Sequence, residues 1–219
     1  MADGFDEMVT DARAFFTELR ANNSKEWFEP HKARYKDRIA APAALFADLM
    51  AEDLARITGK AHAPKVFRIY RDVRFSKDKT PLNAHLHLLW SPGDKDALAP
   101  SWFWGLSPDY LVLAMGVVGL KGPDLTRYRA FVDSWGDGLS DALEGAMAKG
   151  ASFGDWGGAP LKRVPKPYEQ DHPHAELLRR KGFTLSIPIE GWQEAGVLKA
   201  TLARVADLKP VWDAFDTHL

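Results

Sequence analysis

The chain has 219 residues, of which 46% are hydrophobic and 27% are charged, and it contains no cysteine. Its length suits one domain with a sizeable core, and the lack of cysteine excludes disulfides, thiolate metal ligands and cysteine nucleophiles. The formal net charge of −1 argues against general nucleic-acid binding and against binding to anionic membranes, because both need basic charge spread over a whole face.

The amino terminus predicts a soluble, cytoplasmic protein. Residues 1–8 are acidic and lack the basic start and the apolar run of a secretory signal. No part of the sequence approaches the roughly 18 uninterrupted apolar residues of a membrane helix. We therefore expect no membrane association.

Three helices are predicted within residues 1–60. Apolar residues recur at helical spacing from Phe5 to Leu19, and the pair Asn22-Asn23 is a natural stop. Ser24 can cap a second helix. A third helix is predicted from about Pro42 to the glycine at position 59.

Four strands are predicted after residue 64, where β-branched and aromatic residues replace helix formers. They cover Lys65–Val73, His85–Trp90, Ser101–Leu106 and Tyr110–Val118. Their short connections contain no helix, which favours an antiparallel sheet. The third strand carries Trp102 and Trp104 on one face, and we expect at least one of them in the core rather than stacked against a sugar or base.

The remaining residues predict helices and one further strand. Pro123 opens a helix, and a second helix follows Gly136. A short helix (175–181), a strand (183–189) and a terminal helix (192–219) complete the chain. The predicted fold class is α+β, with a mainly antiparallel central sheet, an N-terminal helical lobe and C-terminal helices packed on the sheet. We expect one domain over residues 1–219, divided into the lobe (1–60), a sheet-rich core (64–120) and a mixed part (121–219).

The stretch Lys65–Lys79 carries six cationic side chains and two carboxylates, a local formal charge of +4 in a chain of net charge −1. Such an excess is either a focused anion site or a set of structural ion pairs. As one uninterrupted strand, the stretch would place Arg71 on the same face as Phe67, Ile69 and Val73. A buried guanidinium there needs a carboxylate, a bound anion or a bulge.

The residues Arg68-Ile-Tyr-Arg-Asp-Val-Arg-Phe-Ser-Lys-Asp-Lys79 resemble the signature of Domain of Unknown Function 2461, a mainly bacterial family of conserved hypothetical proteins. The resemblance extends to Asn22–Phe28, Gly119–Pro123, Arg129 and Leu161–Pro173. The family's closing tyrosine falls at Leu82 here, so a role that requires a phenol at this position is not implied. The family has no established activity, and the resemblance therefore implies a site but no reaction.

The leading hypothesis is a pocket for an anionic small molecule, such as a phosphorylated sugar or nucleotide, because arginine forks pair bidentately with phosphate and carboxylate. Three arginines would bind the anion, and two lysines would close over it. Asp72 is the candidate catalytic residue, either as a general base or by orienting an arginine. The predicted ligand-binding residues are Arg68, Arg71, Arg74, Lys77, Asp78, Lys79, Asn23, Trp27 and Arg129. The alternative is a non-enzymatic interaction module whose arginines form structural ion pairs or grip an acidic partner.

No metal or cofactor is expected. His85 and His87 face the same way on a strand, and a His-x-His pair can ligate zinc, but a further ligand is needed and half-exposed histidines are the commoner outcome. Gly116–Gly122 fits neither the Walker spacing nor the dinucleotide fingerprint, and no serine-hydrolase or zinc-protease motif is present. The sequence specifies neither a reaction nor an oligomeric state.

Overall fold

The computed structural model describes residues 4–93, 98, 100–154 and 158–218. Its helices are α1 (Asp6–Ala21), α2 (Lys25–Tyr35), a π-helical segment (Lys36–Ala40), α3 (Ala41–Thr58), α4 (Gly122–Met147), α5 (Ala175–Leu178), α6 (Trp192–Ala195) and α7 (Val197–His218). Its strands are β1 (His62–Val66), β2 (Leu86–Pro92), β3 (Ser101–Leu106), β4 (Leu111–Val117), β5 (Ser152–Phe153) and β6 (Phe183–Pro188).

The helices predicted within residues 1–60 are confirmed. The apolar stripe of α1 is buried from Met8 to Leu19, and burial of each large apolar side chain contributes about 1.5–3 kcal/mol. The Ser24 hydroxyl accepts a hydrogen bond from the backbone N–H of Trp27 and caps α2. Gly59 ends α3 with φ of 73°, a left-handed conformation that favours glycine.

The strands form a six-stranded antiparallel sheet in the order β1-β2-β3-β4-β6-β5. The predicted α+β class is thereby confirmed. Strand β5 was missed because two residues carry no readable alternation; it pairs Ser152 with Ser186 and Phe153 with Leu185. Helix α4 contains a kink at Trp135 (φ −134°, ψ 22°), which separates the two helices that the sequence predicts there.

The predicted strand Lys65–Val73 is wrong. The observed strand β1 ends at Val66, and three of its five residues are exposed. It lies at the edge of the sheet. Beyond the strand, Ile69 is buried, whereas the Arg71 side chain is 25% exposed and pairs with Asp78. The physical reason is that the arginines and carboxylates of this stretch face solvent or pair with one another. The stretch therefore cannot present a continuous apolar face to the core.

The internal contacts of the chain divide it into two compact units. One comprises Met1–Ser91, Phe103–Leu113 and Pro188–Ala203, and the other comprises Pro92–Trp102, Ala114–Ile187 and Arg204–Leu219. The prediction of a single domain stays a prediction. In the first unit, Phe46 packs against Trp90 and Trp104, and in the second, Phe215 packs against Tyr128.

Both tryptophans of β3 are fully buried. The expectation that at least one of Trp102 and Trp104 belongs to the core is confirmed for both. Neither indole is therefore accessible to a ligand.

Candidate functional site

The cationic stretch folds into a loop, residues 71–81, which we call the cationic loop. Its base is closed by antiparallel backbone pairing, with a bridge between Tyr70 and Leu82. The N–H of Arg71 donates to the carbonyl of Pro81 (2.9 Å), and the N–H of Asn83 donates to the carbonyl of Ile69 (2.7 Å). Both ends of the loop are thus held in register.

Asn23 fixes the base of the loop to the helical lobe. Its side-chain amide donates to the carbonyl of Leu82 (2.9 Å), and its side-chain oxygen accepts from the N–H of Leu82 (3.1 Å). The Leu82 side chain is buried. The Asn23 side chain therefore takes the place of a backbone partner for Leu82.

Helix α2 supports the same base through aromatic packing. The Tyr70 ring packs edge-on against Phe28, with ring centroids 5.7 Å apart. Trp27 is half-buried; it stacks on His31 at 4.1 Å and packs against Phe15 at 5.6 Å. Its contacts thus lie with α1 and α2.

The first ion pair of the loop joins Arg71 to Asp78. Nη1 of Arg71 donates to Oδ2 of Asp78 (2.6 Å) and to the carbonyl of Thr80 (3.0 Å), and it also contacts the Thr80 hydroxyl. The backbone N–H of Thr80, its hydroxyl and Arg71, in that order, lower the pKa of Asp78 to about 2. The partner of Arg71 is therefore a carboxylate of its own loop.

The second ion pair joins Arg74 to Asp72. Nε and Nη2 of Arg74 donate to the two carboxylate oxygens at 2.9 and 2.7 Å. This bidentate pairing is the first cause of the lowered pKa of Asp72. Lys79 turns back onto the loop and donates through Nζ to the carbonyl of Val73 (3.0 Å). The loop thus satisfies most of its charges internally.

A pocket of about 280 Å³ opens beside the base of the loop. Its lining residues are Phe67, Arg68, Tyr70, Arg71, Asp72, Asn83, His85 and His87. The Arg71 side chain is 25% exposed. Within the described part of the chain, the guanidinium of Arg68 has neither a hydrogen-bond partner nor an ion-pair partner. The pocket therefore contains one arginine whose guanidinium makes no hydrogen bond or ion pair there, although its charge helps to lower the pKa of Asp72.

Two stacked histidines form part of the pocket wall. The rings of His85 and His87 lie 3.8 Å apart at 17°, and Nε2 of His87 is 2.8 Å from the hydroxyl of Tyr110. Burial and then the neighbouring His85 lower the pKa of His87 to about 3. Burial and then Arg71 also lower the pKa of His85. Both rings are consequently neutral at neutral pH.

The structure brings Arg68, Arg71 and Asp72 together in the pocket and adds residues that the sequence did not indicate. Phe67, Tyr70 and Asn83 are the additions, together with the histidines as wall residues. Tyr70 and Asn83 meet because the Tyr70–Leu82 bridge brings together positions that are distant along the chain. No local pattern signals such a contact.

Other predicted site residues lie elsewhere. Lys77 is exposed on the cationic loop. Arg129 belongs to the second unit, where its Nε donates to the carbonyl of Leu178 (3.3 Å).

A second polar cluster occupies the proline-rich segment, residues 161–174, which docks onto α4 within the second unit. Nε2 of His172 is 3.1 Å from Asp133, and Nδ1 of His172 accepts from the N–H of His174 (3.0 Å). The His174 ring lies between Asp137 (3.1 Å) and Ser140 (3.3 Å). All four imidazole nitrogens of the two rings thus have partners.

Two further classes of feature were sought in the described residues. Among them, no group of three or more histidine and carboxylate side chains is arranged to hold a metal ion. No helix in the same part of the chain combines the length and the apolar character needed to span a bilayer.

The fold and the site define an α+β protein with a pocket of arginine, neutral histidine and aromatic side chains at the base of a cationic loop. The family model described as Conserved hypothetical protein (DUF2461) matches residues 11–213, and the chain belongs to this family. The resemblance read from the sequence is thereby confirmed. No curated protein and no solved structure shows a significant match to the chain.

Proposed function

We propose that the pocket binds a small molecule bearing phosphate or carboxylate. The observation that carries this proposal is Arg68, a guanidinium that lines the pocket beside Arg71 and has no partner within the described residues. A guanidinium presents a planar fork of donors that matches these anions bidentately. Because no described side chain or backbone group bonds to this guanidinium, its donors are available to an anion.

The other residues take supporting roles in this proposal. Arg71 contributes its remaining donors, since Nη1 is already bonded within the loop. Both oxygens of Asp72 are engaged by Arg74, so we assign Asp72 a positioning role rather than proton transfer. Lys77, Asp78 and Lys79 do not line the pocket but belong to the cationic loop, in which Lys79 donates to the carbonyl of Val73.

The test is a binding measurement by calorimetry with inorganic phosphate, a sugar phosphate, a nucleoside monophosphate and a dicarboxylate. Arg68→Ala is expected to weaken binding by about tenfold or more, the worth of one hydrogen bond to a charged group. Its melting temperature should stay unchanged, because Arg68 makes no contact that the fold needs.

The matched control is Arg56→Ala, since Arg56 is also exposed and its ion pair with Asp53 lies on α3. It should leave binding intact. The proposal fails if the wild type binds none of these anions, or if Arg68→Ala binds them as tightly as the wild type does.

The second candidate function is a non-enzymatic interaction module, favoured by the pairs Arg71–Asp78 and Arg74–Asp72. Both pairs lie inside the loop and give it a defined shape without a ligand. In that case the loop would grip an acidic protein, and binding would weaken steeply with ionic strength while the anion panel shows no heat of binding.

A further inference from the structure

Within the described part of the chain, the exposed aromatic side chains lie in the stretch that carries the charge excess. Among the described phenylalanine, tyrosine and tryptophan side chains, the exposed ones are Phe67, Tyr70 and Phe75, at 37%, 39% and 95%. All three lie in the stretch 65–79, which carries the local charge of +4. Single exposed apolar residues are ordinary on protein surfaces, but the concentration of every exposed aromatic ring among the described residues in one cationic stretch is not.

Phe75 is the extreme case. Its ring is almost wholly in solvent, whereas burial of a phenylalanine is worth about 1.5–3 kcal/mol. The described remainder of the chain buries or half-buries its aromatic rings. Phe75 is thus a large apolar surface that this chain leaves uncovered.

Two of the three rings line the anion pocket, and the third is linked to it through side-chain contacts. Phe67 and Tyr70 line the pocket with Arg68. Asp72 also lines it and holds Arg74, whose guanidinium lies 5.9 Å from the centre of the Phe75 ring. Lys65 lies over Phe67 in the same manner, at 4.8 Å. Two of the three exposed rings thus have a cationic side chain against them.

We propose that this surface binds a short single strand of nucleic acid, with one phosphate in the Arg68 and Arg71 pocket and neighbouring bases stacked on the exposed rings. Aromatic faces flanked by Arg and Lys are the combination that single-strand binding proteins use, because every base offers a face for stacking. The inference deepens the proposed function and rests on it.

Other partners fit the observations less well. An anionic membrane presents a flat sheet of charge that would not reach a concave pocket. An acidic peptide would use the cations but has no need of three exposed rings. A nucleotide strand uses the pocket, the cations and the rings together.

The test is fluorescence anisotropy with a labelled oligodeoxythymidylate of about 10 nucleotides, within the usual range of site sizes for single-strand binding. Phe75→Ala should weaken binding by about tenfold through loss of one stacking contact. The affinity of Phe75→Ala for inorganic phosphate should equal that of the wild type. An abasic strand of the same length should bind about tenfold more weakly than the oligodeoxythymidylate, or worse.

The matched control is Leu45→Ala, which truncates an apolar side chain that is 55% exposed on α3. It should leave oligonucleotide binding unchanged. Arg68→Ala should weaken the binding of both oligonucleotide and phosphate, because both use the same pocket.

The possible failures are distinguishable. Phosphate binding without oligonucleotide binding, or equal affinity of Phe75→Ala and wild type for the strand, overturns the inference and leaves the anion pocket standing. Absence of both overturns both. Binding to phosphatidylserine vesicles that depends on Phe75, with no oligonucleotide binding, replaces the strand by a membrane and also overturns the inference.

Discussion

The cationic loop and the proline-rich segment are both irregular, polar and rich in charge, but the partners of their polar groups lie in different places. In the cationic loop, Arg71 and Arg74 bond to carboxylates of the same loop. In the proline-rich segment, His172 and His174 bond to carboxylates of helix α4. The ion pairs of the cationic loop thus lie within the loop, whereas those of the proline-rich segment attach the segment to helix α4.

This difference predicts which mutations should affect stability and which should affect ligand binding. A mutation that disturbs a side chain linking a segment to a helix should lower the free energy of unfolding. A side chain whose partners lie within an exposed loop contributes little to the rest of the chain and is available for a ligand. Four mutations test this contrast, from the largest expected effect on stability to the smallest.

Gly136→Ala should have the largest effect. A Cβ at this position would lie 2.1 Å from the His174 ring, and that ring is held by Asp137 and Ser140. We expect a loss of about 1–3 kcal/mol in the free energy of unfolding, the usual range for overpacking. Urea denaturation measures this loss.

The control is Gly145→Ala on the same helix, because a Cβ there meets nothing within 4 Å. It should stabilise the protein by about 0.5–1 kcal/mol, since alanine is the better helix former. Equal stability of the two variants would break the contrast between the two regions.

Arg71→Ala should have a smaller effect, about 1 kcal/mol, the worth of a partly exposed pair and one hydrogen bond. Its main consequence should be local, because Asp78 and Thr80 lose their common partner. Limited trypsin digestion should then cleave faster after Arg74, Lys77 or Lys79. Unchanged cleavage rates would show that Arg71 does not hold the loop.

Asp78→Asn should give a smaller, pH-dependent effect. The folded-state pKa of Asp78 is lowered from 3.8 to about 2, so its stabilising contribution is present above the unfolded-state pKa and is lost as the pH falls through the folded-state value. The difference in melting temperature between wild type and variant should therefore be constant above about pH 5, shrink progressively as the pH falls below that value, and vanish near about pH 1. A difference that is as large at about pH 2 as at neutral pH would contradict this assignment.

Arg68→Ala should have the smallest effect on stability, within about 0.5 kcal/mol of the wild type, as for surface substitutions that remove no contact. Its phosphate affinity should nevertheless fall. Thermal unfolding and calorimetry on the same preparation measure both quantities. A clear loss of stability would show that Arg68, like His172 and His174, contributes to holding the fold together.

Much of the fold could be predicted because its signals are local. The buried stripe of α1, the Ser24 cap and the end of α3 at Gly59 all depend on neighbours within a few residues. The strand Ser101–Leu106 matches β3 residue for residue. The motif from Arg68 to Lys79 indicated the family, and three of the predicted site residues, Arg68, Arg71 and Asp72, line the pocket.

The sequence by itself therefore determined the helices, most strands, the α+β class, the family and the charge excess. Only the tertiary structure decided that Arg71 pairs with Asp78, that Arg68 lines a pocket beside two neutral histidines, and that Phe75 stays in solvent. The physical reason is that propensity and periodicity act between near neighbours in the chain. The partner of an arginine depends instead on loop closure, which here requires the Tyr70–Leu82 bridge and its anchor at Asn23.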